Sequence, residues 1–250
     1  MKILESNHKD RLVSIINPYI EALESDYNKN QKKIIELCHL GKFLLFLEPD
    51  ITIEKLFEEP DFILNYNDKI IGLEHEIIID DKRKKIEGFY ENISQKVETK
   101  LRKDHRLPNF LANCYFNEKI QHSITQKNYL IDYLYEIITE FILTGSLKEN
   151  EIIEDILLLP HSHKTLAPNF GYWVQKYLTK EHILKAIHKK EKKLNNYRTN
   201  CGNKQWLLLV VGGLGGCSYE MDESLEFKIE SEFEHIYILE DFNNRLFQLK

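Results

Sequence analysis

The sequence predicts a mixed α/β protein: a β-sheet flanked by helices. Three observations lead there. An Ile-rich hairpin spans Asp61 to Ile79, stretches of helical periodicity lie on both sides of it, and a continuous apolar run, Trp206 to Val211, is short enough to be a buried strand. With 250 residues, 42% apolar and 30% charged, the chain suffices for one sizeable core. No Pro/Gly/Ser-rich linker divides it. A single domain over 1–250 is expected, with a helical N-terminal part (1–58) and a C-terminal helix-strand-hairpin elaboration (179–250).

The elements follow in order. Residues 7–47 are predicted helical, with Leu12, Ile15, Ile16, Tyr19, Ile20 and Leu23 as one stripe and Ile34, Ile35, Leu37, Leu40, Leu44 and Leu47 as a second. Pro18 is expected to break the first, and Phe43–Leu47 also suits a strand. Asp50–Glu59 reads as an acidic connection. Phe62–Tyr66 and Ile70–Ile79 are the hairpin strands, and Asn67-Asp68 is the turn centre. After a polar break at Asp80–Lys85, a helix is expected from Gly88 to Lys103 on the stripe Phe89, Ile93, Val97, Leu101. Phe110–Phe116 reads as a strand joining the central sheet. A helix then runs through Leu143 to Thr144-Gly145, and Ile152–Leu159 reads as a strand ended by Pro160. Thr179 caps a helix to Arg198, in which Ile183, Ile187, Lys190 and Leu194 keep the helical period. Phe233–Leu239 and Leu246–Leu249 form a terminal hairpin around Asp241.

Composition narrows function. A net charge of −6 argues against a surface that binds nucleic acid everywhere and leaves room for a local basic patch. Cys38, Cys114, Cys201 and Cys217 form no C-x-x-C pair and read as reduced thiols. No apolar run approaches a membrane span and no leader is visible, so a cytoplasmic protein with no membrane partner is expected.

Chemistry concentrates on the hairpin. Asp61 stands at the mouth of its first strand. Glu74 and Glu76, two apart on the second, project to one face while Leu73, His75 and Ile77 project to the other. Carboxylates on one face of an apolar strand repel one another, and a hard divalent cation would relieve them. The same acids also suit an edge hairpin with solvated side chains.

Pro60-Asp61 followed by Glu74-x-Glu76 resembles the core of the PD-(D/E)XK nuclease superfamily, and Ile70-Ile-Gly-Leu-Glu74 is similar to the lead-in of many of its bacterial members. The resemblance implies a restriction-endonuclease-like fold of α-β-β-β-α-β order and Mg²⁺ (or Mn²⁺) held by Asp61 and Glu74. The implied activity is phosphodiester hydrolysis in nucleic acid, DNA before RNA. Where the family has Lys, this chain has Glu76, as some type II restriction endonucleases do. The helix after the hairpin supplies the missing group in some members, which makes Lys96 or Gln95 the candidate. Glu36 is the candidate for a further acid from the preceding helix, against the simpler role of a surface residue.

Lys189, Lys190, Lys192, Lys193 and Arg198 form a candidate phosphate-contacting ridge. A solvated helix end favourably charged for its macrodipole explains them equally well. Basic helix, Tyr197-Arg198, then an apolar strand also resembles the closing part of such nuclease-like proteins. A homodimer is left open. The alternative function is a catalytically inactive nuclease-fold protein that binds nucleic acid or a protein partner. His161-Ser-His163, which would suit a transition metal, reads as surface histidines, and Gly212–Gly216 lacks the spacing of a phosphate loop.

Overall fold

The computed structural model describes residues 2–3, 8–24, 26–47, 51–117, 124–169, 175–213, 215–222 and 229–250. The protein is mixed α/β, and it forms two compact units where one domain was expected. The first comprises Met1–Ile79 with Lys176–Lys250, and the second is Asp80–Gln175.

The first unit opens with strand β1 (Lys2–Ile3) and helices α1 (Lys9–Glu24) and α2 (Tyr27–Phe46). Pro18 does not end α1, and the break falls between Glu24 and Tyr27. The lost backbone bond is outweighed by packing of the Leu12–Leu23 stripe against the core. Phe43 to Phe46 are helical and buried. Strand β2 (Ile51–Leu56) corrects the reading of 50–59 as a connection. Ile51 and Ile53 alternate with polar neighbours, and a bulge between Ile53 and Lys55 interrupts the period.

Strands β3 (Phe62–Tyr66) and β4 (Lys69–Ile77) form the expected hairpin. Asn67 and Asp68 both take positive φ, 51° and 58°, as a two-residue turn of matching twist requires.

After the second unit come β8 (Lys176–Tyr177), α5 (Lys180–Glu191), α6 (Leu194–Cys201), β9 (Gln205–Val211), β10 (Tyr219–Glu220), β11 (His235–Glu240) and β12 (Arg245–Gln248). The helix expected over 179–198 is thus two helices, parted at Lys192-Lys193. Thr179 caps the first as predicted, accepting from the His182 amide. The seven-stranded sheet runs β1-β12-β11-β9-β4-β3-β2. β2, β3 and β4 form an antiparallel meander. β9 lies parallel to β4 with Leu207 opposite Glu74, and β11 lies parallel to β9. Every residue of β9 is buried. Leu208 and Val210 pack with α1 and α2 on one face, while Leu207, Leu209 and Val211 pack with α5 and α6 on the other.

The second unit, placed in the chain between β4 and β8, holds α3 (Asp81–Lys103), β5 (Phe110–Phe116), α4 (Lys127–Thr144), β6 (Ile153–Leu159) and β7 (Lys164–Asn169). α3 begins seven residues earlier than expected because Asp80, in the supposed polar break, accepts from the Lys82 and Arg83 amides and caps it. β5 does not join the central sheet. It is the middle strand of a separate sheet, β6-β5-β7, and the position beside β4 belongs to β9. Among the described residues, no helix is long and apolar enough to cross a membrane.

Candidate active site

Three elements of the first unit meet at one cavity of about 300 Å³, lined by Lys32, Ile35, Glu36, Asp61, His75, Glu76, Ile77, Lys189 and Lys190. α2 brings Lys32, Lys33 and Glu36. The hairpin brings Asp61, Glu74, His75 and Glu76, and the end of α5 brings Lys189 and Lys190. β4 alternates here as a strand must: Leu73 belongs to the core shared with α2, and Glu74 and Glu76 meet α5.

The acids are buried and tied together. The Asp61 amide donates to Glu74 Oε2 at 3.2 Å, and the His75 amide donates to Asp61 Oδ2 at 2.9 Å. Asp61 is 8% exposed and Glu74 3%. Burial first, then the Glu74 and Glu36 carboxylates, push the Asp61 pKa up to about 6, against the His75 amide and Lys33. Lys33 Nζ donates to the Phe57 carbonyl at 2.7 Å and to Glu36 Oε2 at 3.2 Å, and lies 3.5 Å from Asp61 Oδ1. Glu36, 4% exposed, is no surface residue of an amphipathic helix.

Lys190 is the cation at the centre. Its Nζ lies 2.5 Å from Glu74 Oε1 and 3.0 Å from Glu76 Oε2. Burial would lower its pKa, but Glu74 and Glu76 outweigh that and raise it. Burial likewise pushes Glu76 up, and its bonds to Lys189 and Lys190 hold it below the usual carboxylate range. The Tyr197 hydroxyl on α6 is buried beside Glu74, and burial together with the Glu74 carboxylate raises its pKa.

A clamp holds the entry to β3. Glu59, just before the cis Glu59-Pro60 peptide, accepts from Lys193 Nζ at 2.6 Å and Asn196 Nδ2 at 3.2 Å, and its carbonyl accepts from Asn200 Nδ2 at 2.6 Å. On the α2 side of β4, His75 Nε2 lies 3.0 Å from His39 Nδ1 with the rings stacked. His39 Nε2 lies 4.0 Å from Asp241 Oδ1. Burial lowers the pKa of both histidines, so the pair is neutral at pH 7.

The structure therefore brings Asp61, Glu74 and Glu76 together as the spacing predicts, and adds Glu36. The proposed ridge is redistributed. Lys189 and Lys190 enter the acid cluster, Lys193 serves the Glu59 clamp, and Arg198 pairs with Glu232 at 3.0 Å, which leaves Lys192 exposed. Lys96 and Gln95 lie on the exposed side of α3, in the second unit. His161 and His163 are exposed, and each bonds a loop carbonyl.

Sequence reasoning passed over Lys33 and His39 and the roles of Tyr197 and Lys190. For Lys190 the signal was there. It shares the stripe of Ile183 and Ile187, so α5 turns it inward, and a buried lysine requires a carboxylate partner.

As donors the acids offer hard oxygens. Among the described residues no three His, Cys, Asp or Glu groups form a ready cage for an ion. A cage is what Zn²⁺ would need. Mg²⁺ is commonly held by one or two carboxylates with water and phosphate oxygens completing six positions, and the mutually repelling Asp61–Glu74 pair fits that.

No protein-family model, no curated protein and no solved structure matches this chain.

Proposed function

We propose that the protein is a metal-dependent nuclease of the PD-(D/E)XK kind, with a restriction-endonuclease-like core, that hydrolyses phosphodiester bonds in nucleic acid, DNA before RNA. The observation that carries the reading is the convergence of Asp61 and Glu74, buried and crowded by Glu36, with a lysine bridging Glu74 and Glu76. Crowded acids beside a cation in an open cavity mark a site kept for chemistry at some cost in stability. The order α2, β2-β3-β4, α5, then β9 parallel to β4, supports the same family, with the second unit as an insertion.

Asp61 and Glu74 would hold the Mg²⁺ (or Mn²⁺), with Glu36 adding negative charge behind them. When bound, the cation lowers the pKa of a water and stabilises charge developing on the phosphate. The chain's own groups do the rest. Lys190, not Lys96, takes the place of the missing family lysine: its Nζ orients the attacking water, or neutralises the phosphate, while Glu74 fixes its position. Glu76 holds Lys190 and Lys189 until a phosphate competes for them. The Glu59 clamp and the His75 amide keep Asp61 aimed at Glu74.

A second reading has its own support. The acids Glu36, Asp61, Glu74 and Glu76 already face the lysines Lys32, Lys33, Lys189 and Lys190. A balanced cluster can persist without metal in a protein that only binds nucleic acid. One pair of measurements separates the two. The nuclease should be stabilised by millimolar Mn²⁺ through mass action and should cut DNA, and Asp61→Asn should lose both properties. A melting temperature unmoved by Mn²⁺, with no cleavage, leaves the binding reading standing.

A further inference from the structure

The lysines of α5 point to different sides of the helix. Six lysines against two glutamates crowd residues 180–193 of a chain whose net charge is −6. Ile183, Ala186 and Ile187 mark the buried side, and Lys190 falls in that stripe. Lys185, His188 and Lys192 lie on the opposite side, with Lys180 at the margin, and all four are exposed. Among the described residues, none of these three lysines has an ion-pair partner. Glu181 and Leu184 line the same shallow surface as these lysines.

The helix macrodipole accounts for Lys192, which caps the C-terminal end, but not for the rest of this face. A cation gains from it in the last turn, as Lys189 does, whereas Lys180 opens the helix and Lys185 lies in its middle. Nor does packing account for it, since the groups stand in solvent. A line of unpaired cations on an acidic protein is a local field of sign opposite to the whole, and it favours a polyanion.

We propose that this face of α5, together with its C-cap residue, is a docking surface for the phosphate backbone of duplex DNA, contacted by Lys180, Lys185 and Lys192. From Lys180 to Lys192 the helix rises about 18 Å at 1.5 Å per residue, which matches the axial rise of about five base pairs at 3.4 Å each. The surface also leads somewhere. Lys189 and Lys190, at the C-terminal end of the same helix, bond Glu76 and Glu74, so a strand laid along α5 runs toward the acid cluster. That last step rests on the nuclease reading, but binding by the three lysines does not.

The test is fluorescence anisotropy of a labelled 20-base-pair duplex with the full chain in EDTA, where cleavage is silent, across a salt series. Replacing the three lysines together by Glu should weaken binding about tenfold or more, and replacement by Gln should do so less. The slope of log affinity against log salt should fall by about 0.9 for each phosphate no longer neutralised by a lysine. Arg198→Gln, which removes a cation already engaged by Glu232, should leave both quantities unchanged. Melting temperatures of the Glu and Gln variants close to wild type show that folding is intact, since the groups are exposed and unpaired. Wild-type protein that ignores duplex DNA, or a Gln triple variant with wild-type affinity and salt slope, overturns the proposal. Binding lost in the triple variant while wild type never cuts with Mg²⁺ or Mn²⁺ keeps the docking surface and removes the nuclease. Cleavage that persists undiminished, with undiminished binding, does the reverse.

Discussion

Two buried carboxylates of the first unit are handled in opposite ways. Glu240, at the end of β11, is served within its own turn: Oε1 accepts from Asn243 Nδ2 at 2.8 Å, and Oε2 accepts from the Arg245 guanidinium. Asn244 takes positive φ, 49°, to bring both donors round. Asp61, before β3, has one backbone donor and a lysine 3.5 Å away, and it is pressed by Glu74 and Glu36. A charge matched by its sequence neighbours serves the fold. A charge gathered with other acids from distant parts of the chain works against the fold unless something else enters the cavity.

The comparison breaks most visibly in activity. Asp61→Asn should reduce Mg²⁺-dependent cleavage about a hundredfold or more, the usual effect of losing one well-placed catalytic group. The apo protein should melt at the same temperature or higher, because repulsion from Glu74 and Glu36 is relieved. Cleavage gels and melting curves in EDTA measure both, and a variant that melts well below wild type would show Asp61 to be structural after all.

Lys190→Gln should cost a similar factor in rate and also destabilise the protein, since it strands Glu74 in a buried position. Breaking a buried pair costs about 3–5 kcal/mol. Lys96→Gln, on the exposed side of α3, should leave rate and stability near wild type. Equal losses in the two variants would return the catalytic lysine to the second unit.

Glu240→Gln should behave in the contrary sense to Asp61→Asn. It removes the Glu240 charge from beside the Arg245 guanidinium, 15% exposed, so it should lower stability by up to a few kcal/mol while the melting shift produced by Mn²⁺ stays as in wild type. Loss of that shift would mean that the two carboxylates are not separate systems.

What the sequence disclosed follows from how local each feature is. The β3–β4 hairpin, its Asn67-Asp68 turn and the shared face of Glu74 and Glu76 depend on nearest neighbours and period two alone, and all are present. β2 was hidden because a bulge breaks its period, and α3 started early because its capping residue Asp80 sits in a run of charges that reads as loop. Which strand lies beside β4 is a non-local matter. β5 and β9 are both apolar strands, and only the pairing of whole layers decides between them. The site divides along the same line. Asp61, Glu74 and Glu76 lie within one hairpin, whereas Lys190 reaches Glu74 across 116 residues and Lys33 lies 28 before Asp61. A ridge of lysines looks uniform in one dimension. On a helix, the three-residue step from Ile187 to Lys190 turns one of them inward, and Lys185 and Lys192 stay in solvent.

The smallest effect sharpens the comparison through pH. The folded Asp61 carboxyl titrates at about 6, above its ordinary value of 3.8, so between those values the folded protein binds more protons there than the unfolded chain does. Stability from this group is therefore fully present below about pH 3.8 and is lost as pH rises through 6. At 1.36 kcal/mol per pH unit the whole effect is below about 3 kcal/mol. Glu76 acts in the opposite direction, because the lysines hold it low. The measurement must for that reason be a difference. Urea unfolding of wild type and Asp61→Asn in EDTA, from pH 4 to 7.5, should show wild type losing stability relative to the variant as pH rises, with the change centred near 5 and complete above about 6. Added Mn²⁺ should reverse the trend for wild type alone, since the cation binds the ionised pair and its stabilisation grows as Asp61 loses its proton. A difference that stays flat across this range, with or without Mn²⁺, would place Asp61 beside Glu240 as an ordinary buried acid.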